Sequence, residues 1–171
     1  MTGAPDRRWM LCRCLGETYA VDLRHAREII YRPRLVAPPG LEPPLCGLIM
    51  WRGRPRLVVG LRLLAGDSRP AEQPVVIIVG DGLQEAGLLA DGIGETVAAP
   101  ELFPLHPALR RGREYIAQAF MAQGSAAFVI DVAALLAGLA PLAAGAEGAV
   151  PEEPSGGNQG LPRTASAGAG A

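Results

Sequence analysis

Apolar and polar positions alternate with a period of two in several short stretches of this chain, and glycine- or proline-bearing turns separate the stretches. Met10 to Leu15 is a short mixed run ending at Gly16-Glu17. Thr18 to Leu23 follows, with Tyr19, Val21 and Leu23 alternating against Ala20 and Asp22, so the two runs predict a hairpin. Gly47 to Trp51 and Leu57 to Leu63 predict strands on either side of an Arg52-Gly53 turn, and Leu64 to Pro74 predicts a loop. Val75 to Val79 is β-branched throughout, the signature of a strand buried on both faces. Asp81-Gly82 turns the chain into Glu85 to Ala90, and Asp91-Gly92 turns it again into Ile93 to Val97. Tyr115 to Gln123 and Ala126 to Val132 predict a last hairpin across Gly124-Ser125, after a proline-broken connection from Pro100 to Pro107.

Two stretches read as helix. Arg24 to Tyr31 can place Ala26, Ile29 and Ile30 on one face and is stopped by Pro33; Ala133 to Leu139 predicts a short terminal helix. Beyond Pro141 the composition becomes Gly, Ala, Pro, Ser and Glu, which predicts a disordered tail over 141–171. No internal repeat of useful length is visible. Short strands with Gly and Asp turns predict an all-β chain built of small barrels, and the strong strand signals flanking Leu63 to Pro74 place the junction between two barrels there.

Composition narrows the function. A length of 171 residues fits one domain plus a tail, and 49% hydrophobic content supplies a core. The net charge of −1 argues against bulk nucleic acid as a partner. All 16 basic residues are arginine, which excludes Schiff-base chemistry and a phosphate-loop lysine. Residues 1–62 carry 11 arginines against 5 acids, and residues 63–171 carry 5 against 12, an asymmetry that can steer protein partners. Cys12, Cys14 and Cys46, with no apolar signal segment after the N-terminal charges, point to the reducing cytoplasm. Ala126 to Ala146 is long enough to span a bilayer, but Asp131 would cost about 2.5–3.5 kcal/mol and Gly138 and Pro141 interrupt it. A buried strand followed by a short helix is the better reading.

The chemical motifs are incomplete. Cys12 and Cys14 share a strand face, but three Cys and two His in the whole chain do not make a convincing zinc set. Gly80-Asp81-Gly82 follows a strand as a dinucleotide loop would, but Glu85 stands where the third glycine belongs, and a strand follows. His25 and His106 have no nucleophile in an elbow-type setting. Trp51-Arg52-Gly53-Arg54-Pro55-Arg56 could be a nucleic-acid arm, but it reads better as strand–turn–strand with solvated arginines. No metal, cofactor or catalytic residue is expected.

Three blocks resemble the CheW-like family of chemotaxis coupling proteins. The first is Glu17 to Leu23 followed by Ala26-Arg-Glu-Ile29. The second is Gly47-Leu-Ile-Met-Trp-Arg-Gly53 with Leu57 to Arg62. The third is Gly87 to Ile93 preceded by Val75 to Val79, and the likeness closes with Phe128 to Val132 and Leu135-Leu136. It spans residues 8–140. Met50 stands where the family usually has Asn and Gly60 where it usually has Asp, so turn hydrogen bonds from those side chains are not available here.

The resemblance implies two small five-stranded, SH3-like β-barrels sharing a core, with short helices. It also implies a non-enzymatic adaptor in the cytoplasm that joins the regulatory domain of a CheA-type histidine kinase to the cytoplasmic tip of methyl-accepting chemoreceptors, with no membrane insertion and no nucleic acid. Its implied partner-binding residues are Leu23, Ala26, Glu28, Gly47, Arg52, Ile93 and Thr96. Glu28 and Arg52 are expected to form an ion pair between helix and hairpin, where a guanidinium fork can grip a carboxylate. A CheW-like adaptor serving pili, gliding or another output is the alternative, and a small ligand-binding or enzymatic β-barrel is a third reading.

Overall fold

The computed structural model describes residues 7–98, 101–110 and 113–146, with side chains as far as residue 142. The chain is mostly strand: β1 Arg8–Cys14, β2 Glu17–Asp22, β3 Ala26–Tyr31, β4 Leu45–Trp51, β5 Arg54–Gly60, β6 Val75–Gly80, β7 Glu85–Ala90, β8 Gly92–Ala98, β9 Phe103–Pro104, β10 Ile116–Ala122 and β11 Ser125–Ile130. Helix α1 is Leu61–Leu64 and α2 is Val132–Ala146. Two sheets form, in the orders β8-β1-β2-β11-β10-β9 and β3-β6-β7-β5-β4. The first (barrel 1) is built from both ends of the chain. The second (barrel 2) is the contiguous segment between them. The expected all-β architecture of two small barrels is present, with a sixth, two-residue strand added to barrel 1.

The two sheets have one pairing scheme. In barrel 2, β3 runs antiparallel to β6, the β6–β7 hairpin pairs through β7 in parallel with β5, and β5 forms a hairpin with β4. In barrel 1, β8 is antiparallel to β1, the β1–β2 hairpin pairs through β2 in parallel with β11, and β11 forms a hairpin with β10. Barrel 1 is thus a circular permutation of barrel 2. The relation is invisible as a sequence repeat because each barrel needs only alternation and turns, not particular residues. Two-residue turns Leu15-Gly16, Arg52-Gly53 and Gln123-Gly124 close the β1–β2, β4–β5 and β10–β11 hairpins with positive φ at both positions, the conformation that matches strand twist.

Side-chain alternation divides the interior into three cores. Trp9, Leu11, Ala20, Phe120, Ala127 and Val129 fill barrel 1, with the Trp9 and Phe120 rings 5.8 Å apart in a tilted contact. Ile49, Trp51, Val58, Val76 and Ile78 fill barrel 2. The intervening positions, Met10, Cys12, Leu57, Val59, Ile77 and Val79 among them, meet in the largest cluster, which fuses the barrels. β6 therefore has both faces buried, as its β-branched run predicts. Helix α2 adds Val132, Leu135, Leu136 and Leu139 to this shared core at helical spacing. Asp131 caps it, its Oδ1 accepting the Ala134 N–H at 3.0 Å.

Several expectations are corrected. Arg24 to Tyr31 is not a helix: Ala26–Tyr31 pairs with β6, and the adjacent β-branched Ile29 and Ile30 face opposite sides, the shared core and the barrel 2 interior. A register shift between Ala26 and Glu28 puts Ala26 and Ile29 on one side, which imitates helical spacing. Leu63 to Pro74 does not join the barrels, because it lies inside barrel 2 between β5 and β6; the crossings are Leu23–His25 and Asp91. The strand expected from Leu57 to Leu63 ends at Gly60, where α1 begins. The terminal helix runs past Leu139 and through Pro141 to Ala146, and the remainder of the expected tail, 147–171, lies outside the described residues. No described helix is long and apolar enough to cross a membrane.

Candidate functional site

The crossings between the barrels are fixed by arginine–carboxylate pairs. Asp22 ends β2 with only 2% of its surface exposed. Its carboxylate accepts Arg7 Nε at 2.7 Å, Arg24 Nη2 at 2.7 Å and the Arg24 backbone N–H at 2.9 Å. Burial alone would raise this carboxyl, but the hydrogen bonds from Arg24 and Arg7 outweigh it and hold it well below the usual carboxylate range. At the second crossing, Asp91 accepts Arg62 Nε at 2.6 Å and Arg62 Nη2 at 3.0 Å in a two-pronged pair, and also the backbone N–H of Leu15 at 2.9 Å. That clip ties the β1–β2 turn of barrel 1 to α1 of barrel 2.

Barrel 2 is closed by a tryptophan. Trp51, at the end of β4, is 5% exposed, and its Nε1–H donates to Glu28 Oε2 on β3 at 2.6 Å. β3 and β4 are the two edges of this sheet, so the bond completes the ring. The guanidinium of Arg52 stacks 4.5 Å from the Trp51 ring centroid, and that of Arg56 lies 5.9 Å away while gripping Glu85 at 2.6 Å. The expected Glu28–Arg52 ion pair is therefore not formed. A buried indole N–H needs an acceptor, and it takes the carboxylate, leaving Arg52 the ring face instead. Barrel 1 is closed at the equivalent place: Gln123 of the β10–β11 turn donates to Glu95 on its edge strand β8.

The other expected partner-binding residues fall in three places. Gly47 is buried in β4 with φ +155°, and a Cβ there would stand 2.8 Å from the Val36 carbonyl oxygen. Its glycine identity follows from close backbone approach. Ala26 and Ile93 sit half-buried on the equivalent edge strands β3 and β8, both against the shared core. Leu23 and Thr96 are exposed, the first at the crossing and the second on β8 opposite Met10. The structure thus brings Glu28 and Arg52 together through Trp51 and places Ala26 and Ile93 along the seam. Trp51 is not among the residues expected to bind a partner; the sequence offers it only as a strand end and as the aromatic of a rejected nucleic-acid arm. The signal available in the sequence is the tryptophan itself, because an indole N–H that becomes buried must find a partner.

The remaining reactive groups are occupied or muted. Burial, with Cys14 nearby, pushes the Cys12 thiol up to about 12, and burial with Asp91 nearby pushes Cys14 up to about 12. His25 Nδ1 lies 3.1 Å from the Gly80 carbonyl oxygen, and His106 Nδ1 accepts the Ala108 N–H at 3.2 Å. Among the described residues, no group of three or more His, Cys, Asp or Glu comes together as metal ligands would.

Comparison with known proteins agrees with this architecture. The chain resembles the crystal structure of the scaffolding protein TtCheW from Thermoanaerobacter tengcongensis, with a TM-score of 0.66 and 19% sequence identity over 73% of this chain and 88% of that one. No curated protein matches it. The family model for the CheW-like domain matches residues 8–140, which takes in both barrels and most of α2. By that match the chain belongs to the CheW-like domain family, a family of scaffolds and not of enzymes.

Proposed function

We propose that this protein is the adaptor that couples chemoreceptors to a CheA-type histidine kinase, in the cytoplasm, where the receptor tips and the kinase meet. The observation that carries this reading is the extent of the family match: residues 8–140 include both barrels, which supports an adaptor with room for two partners on one chain. The fixed crossings support it, because a scaffold must hold its two halves in one relation, and Asp22 and Asp91 each tie down a crossing with arginine forks. Leu23, Ala26, Ile93 and Thr96, along or near the seam, are the proposed receptor contacts. Glu28, Arg52 and Gly47 shape the barrel 2 end of the same surface.

A pull-down with a purified CheA regulatory domain and with a receptor signalling hairpin tests the proposal. Retention of both, together and without mutual exclusion, is the expected result. Retention of neither overturns it. Retention of the corresponding proteins from a pilus or gliding system, and not of these, would assign the chain to that related pathway.

A further inference from the structure

Some arginines of this chain pair with carboxylates and others do not; among the described residues, Arg8, Arg13, Arg27 and Arg110 are unpaired and scattered, whereas four more lie on two segments of barrel 2. Among the described residues, Arg7, Arg24, Arg56, Arg62, Arg69 and Arg113 each pair with a carboxylate. Arg32, Arg34, Arg52 and Arg54 are all exposed, and none pairs with a carboxylate of the described residues. Val36 forms an antiparallel bridge to Leu48, so the segment running back from Val36 through Arg34 to Arg32 travels alongside β4 toward the turn that carries Arg52 and Arg54. The Trp51–Glu28 hydrogen bond fixes β3, which leads into Arg32, to the same turn.

Large apolar side chains stand among them in solvent: Tyr31 is 67% exposed, Met50 60% and Val36 48%. Tyr, Met and Arg are the residue types enriched where proteins bind one another. Glu28 lies at the same corner, and its Oε2 already accepts the Trp51 N–H. Arg32 and Arg52 also hold φ of +50° and +51°, a conformation that costs a non-glycine residue energy. The Arg52-Gly53 turn is of the kind where asparagine usually precedes glycine, so an arginine there is a choice against local preference.

We infer that this arginine face of barrel 2 docks a carboxylate-rich protein segment that also carries large apolar side chains. Arg52 is the anchor: Trp51 holds the flat of its guanidinium, and no carboxylate of the described residues occupies its fork. The fork geometry suits carboxylates, and the interleaved Tyr31, Val36 and Met50 suit a segment with an apolar side. A purely electrostatic partner such as duplex nucleic acid would have no use for those three side chains. This face shares Glu28 and Arg52 with the proposed adaptor surface, and it names the chemistry of what that end of the surface receives.

The test uses the full chain and a fluorescein-labelled helical peptide with glutamates on one side and leucines on the other, followed by anisotropy. Binding should weaken at least about tenfold as sodium chloride rises from about 50 to about 300 mM. Arg52→Gln and Arg34→Gln should each weaken it by about tenfold, with unchanged melting temperature and near-ultraviolet circular dichroism. Arg13→Gln, which removes the same charge from barrel 1, should leave it unchanged, and a glutamine-for-glutamate peptide should not bind. No binding of the acidic peptide, equal weakening by Arg13→Gln, or tighter binding of phosphatidylserine vesicles or a DNA duplex overturns the inference. Capture of the kinase domain and receptor hairpin unaffected by Arg34→Gln and Arg52→Gln would overturn this inference and leave the adaptor reading standing. Peptide binding without capture of either protein would do the reverse.

Discussion

The indole N–H of Trp51 donates a 2.6 Å hydrogen bond to the carboxylate of Glu28, and it joins the two edge strands of barrel 2. The bond is charge-assisted, with a mostly buried donor and an acceptor on a solvent-facing side chain. Trp51→Phe keeps an aromatic ring, though a smaller one, and removes the donor. It should cost about 1–2 kcal/mol, read from urea unfolding. Glu28→Gln should cost less, since an amide oxygen still accepts. A double-mutant cycle between the two should show a coupling of about 1 kcal/mol, and strict additivity would show that the bond contributes nothing.

Asp22 makes stability depend on acid. Its carboxyl is held below the usual range in the folded state, so its contribution is fully present above the unfolded value near 3.9 and is lost as pH falls through the folded value. The wild-type unfolding midpoint in urea should decline as pH drops below about 4. Asp22→Asn should be about 2–3 kcal/mol less stable at neutral pH, because Arg7 and Arg24 lose their charged acceptor. The gap between the two proteins should close as pH falls, and a constant gap would refute the linkage.

Gly47→Ala separates a structural role from a binding role. With φ +155° and a Cβ site 2.8 Å from a backbone oxygen, the added methyl has nowhere to go. A loss of at least about 2 kcal/mol in stability is expected, typical of overpacking and strain at a special backbone position. A variant with unchanged stability and lost partner binding would instead make Gly47 a direct contact.

The thiols should be nearly inert in the native protein. Cys12 and Cys14 are buried and pushed up to about 12, so almost no thiolate exists at neutral pH. Iodoacetamide at pH 7.5 should label neither in the folded state and both in urea, as mass spectrometry of the peptides would show. Rapid native labelling of either would point to an opening of the shared core.

What was legible in the chain follows from what alternation can encode. β6, a run of β-branched residues, announced itself through intrinsic preference, and the glycines marked the turns, although two of these, Leu15-Gly16 and Gln123-Gly124, begin one residue earlier than the expected Gly16-Glu17 and Gly124-Ser125. β3 did not, because a register shift between Ala26 and Glu28 broke the period of two and left a spacing that resembles a helical face. Connectivity between the barrels was hidden for a different reason. The pairing of Thr18 with Ala127, or of Trp9 with Val97, is a long-range choice that no local window contains. The family motif drew attention to Glu28 and Arg52, which meet only through Trp51 and not in the expected ion pair. Position 51 decides it, and a tryptophan there changes the partner of both residues.

The interrupted topology of barrel 1 sets an order of assembly. Barrel 2 is one unbroken stretch from β3 to β7, so its strands find one another over short loops. Barrel 1 must wait: its opening hairpin, with Trp9 and Leu11, has no β8 or β11 to meet until the rest of the chain exists. Once barrel 2 closes, it fixes the chain after Asp22 and the chain before Asp91 at opposite ends of β6, and the remaining search becomes shorter. Barrel 2 is then the nucleus for its neighbour. Substitutions inside it, such as Ile78→Val, should slow refolding in stopped-flow experiments, while Val129→Ala in barrel 1 should mainly hasten unfolding. A scaffold with this order is never half-made in the wrong direction: no surface shared by the two barrels can form before the second one is whole.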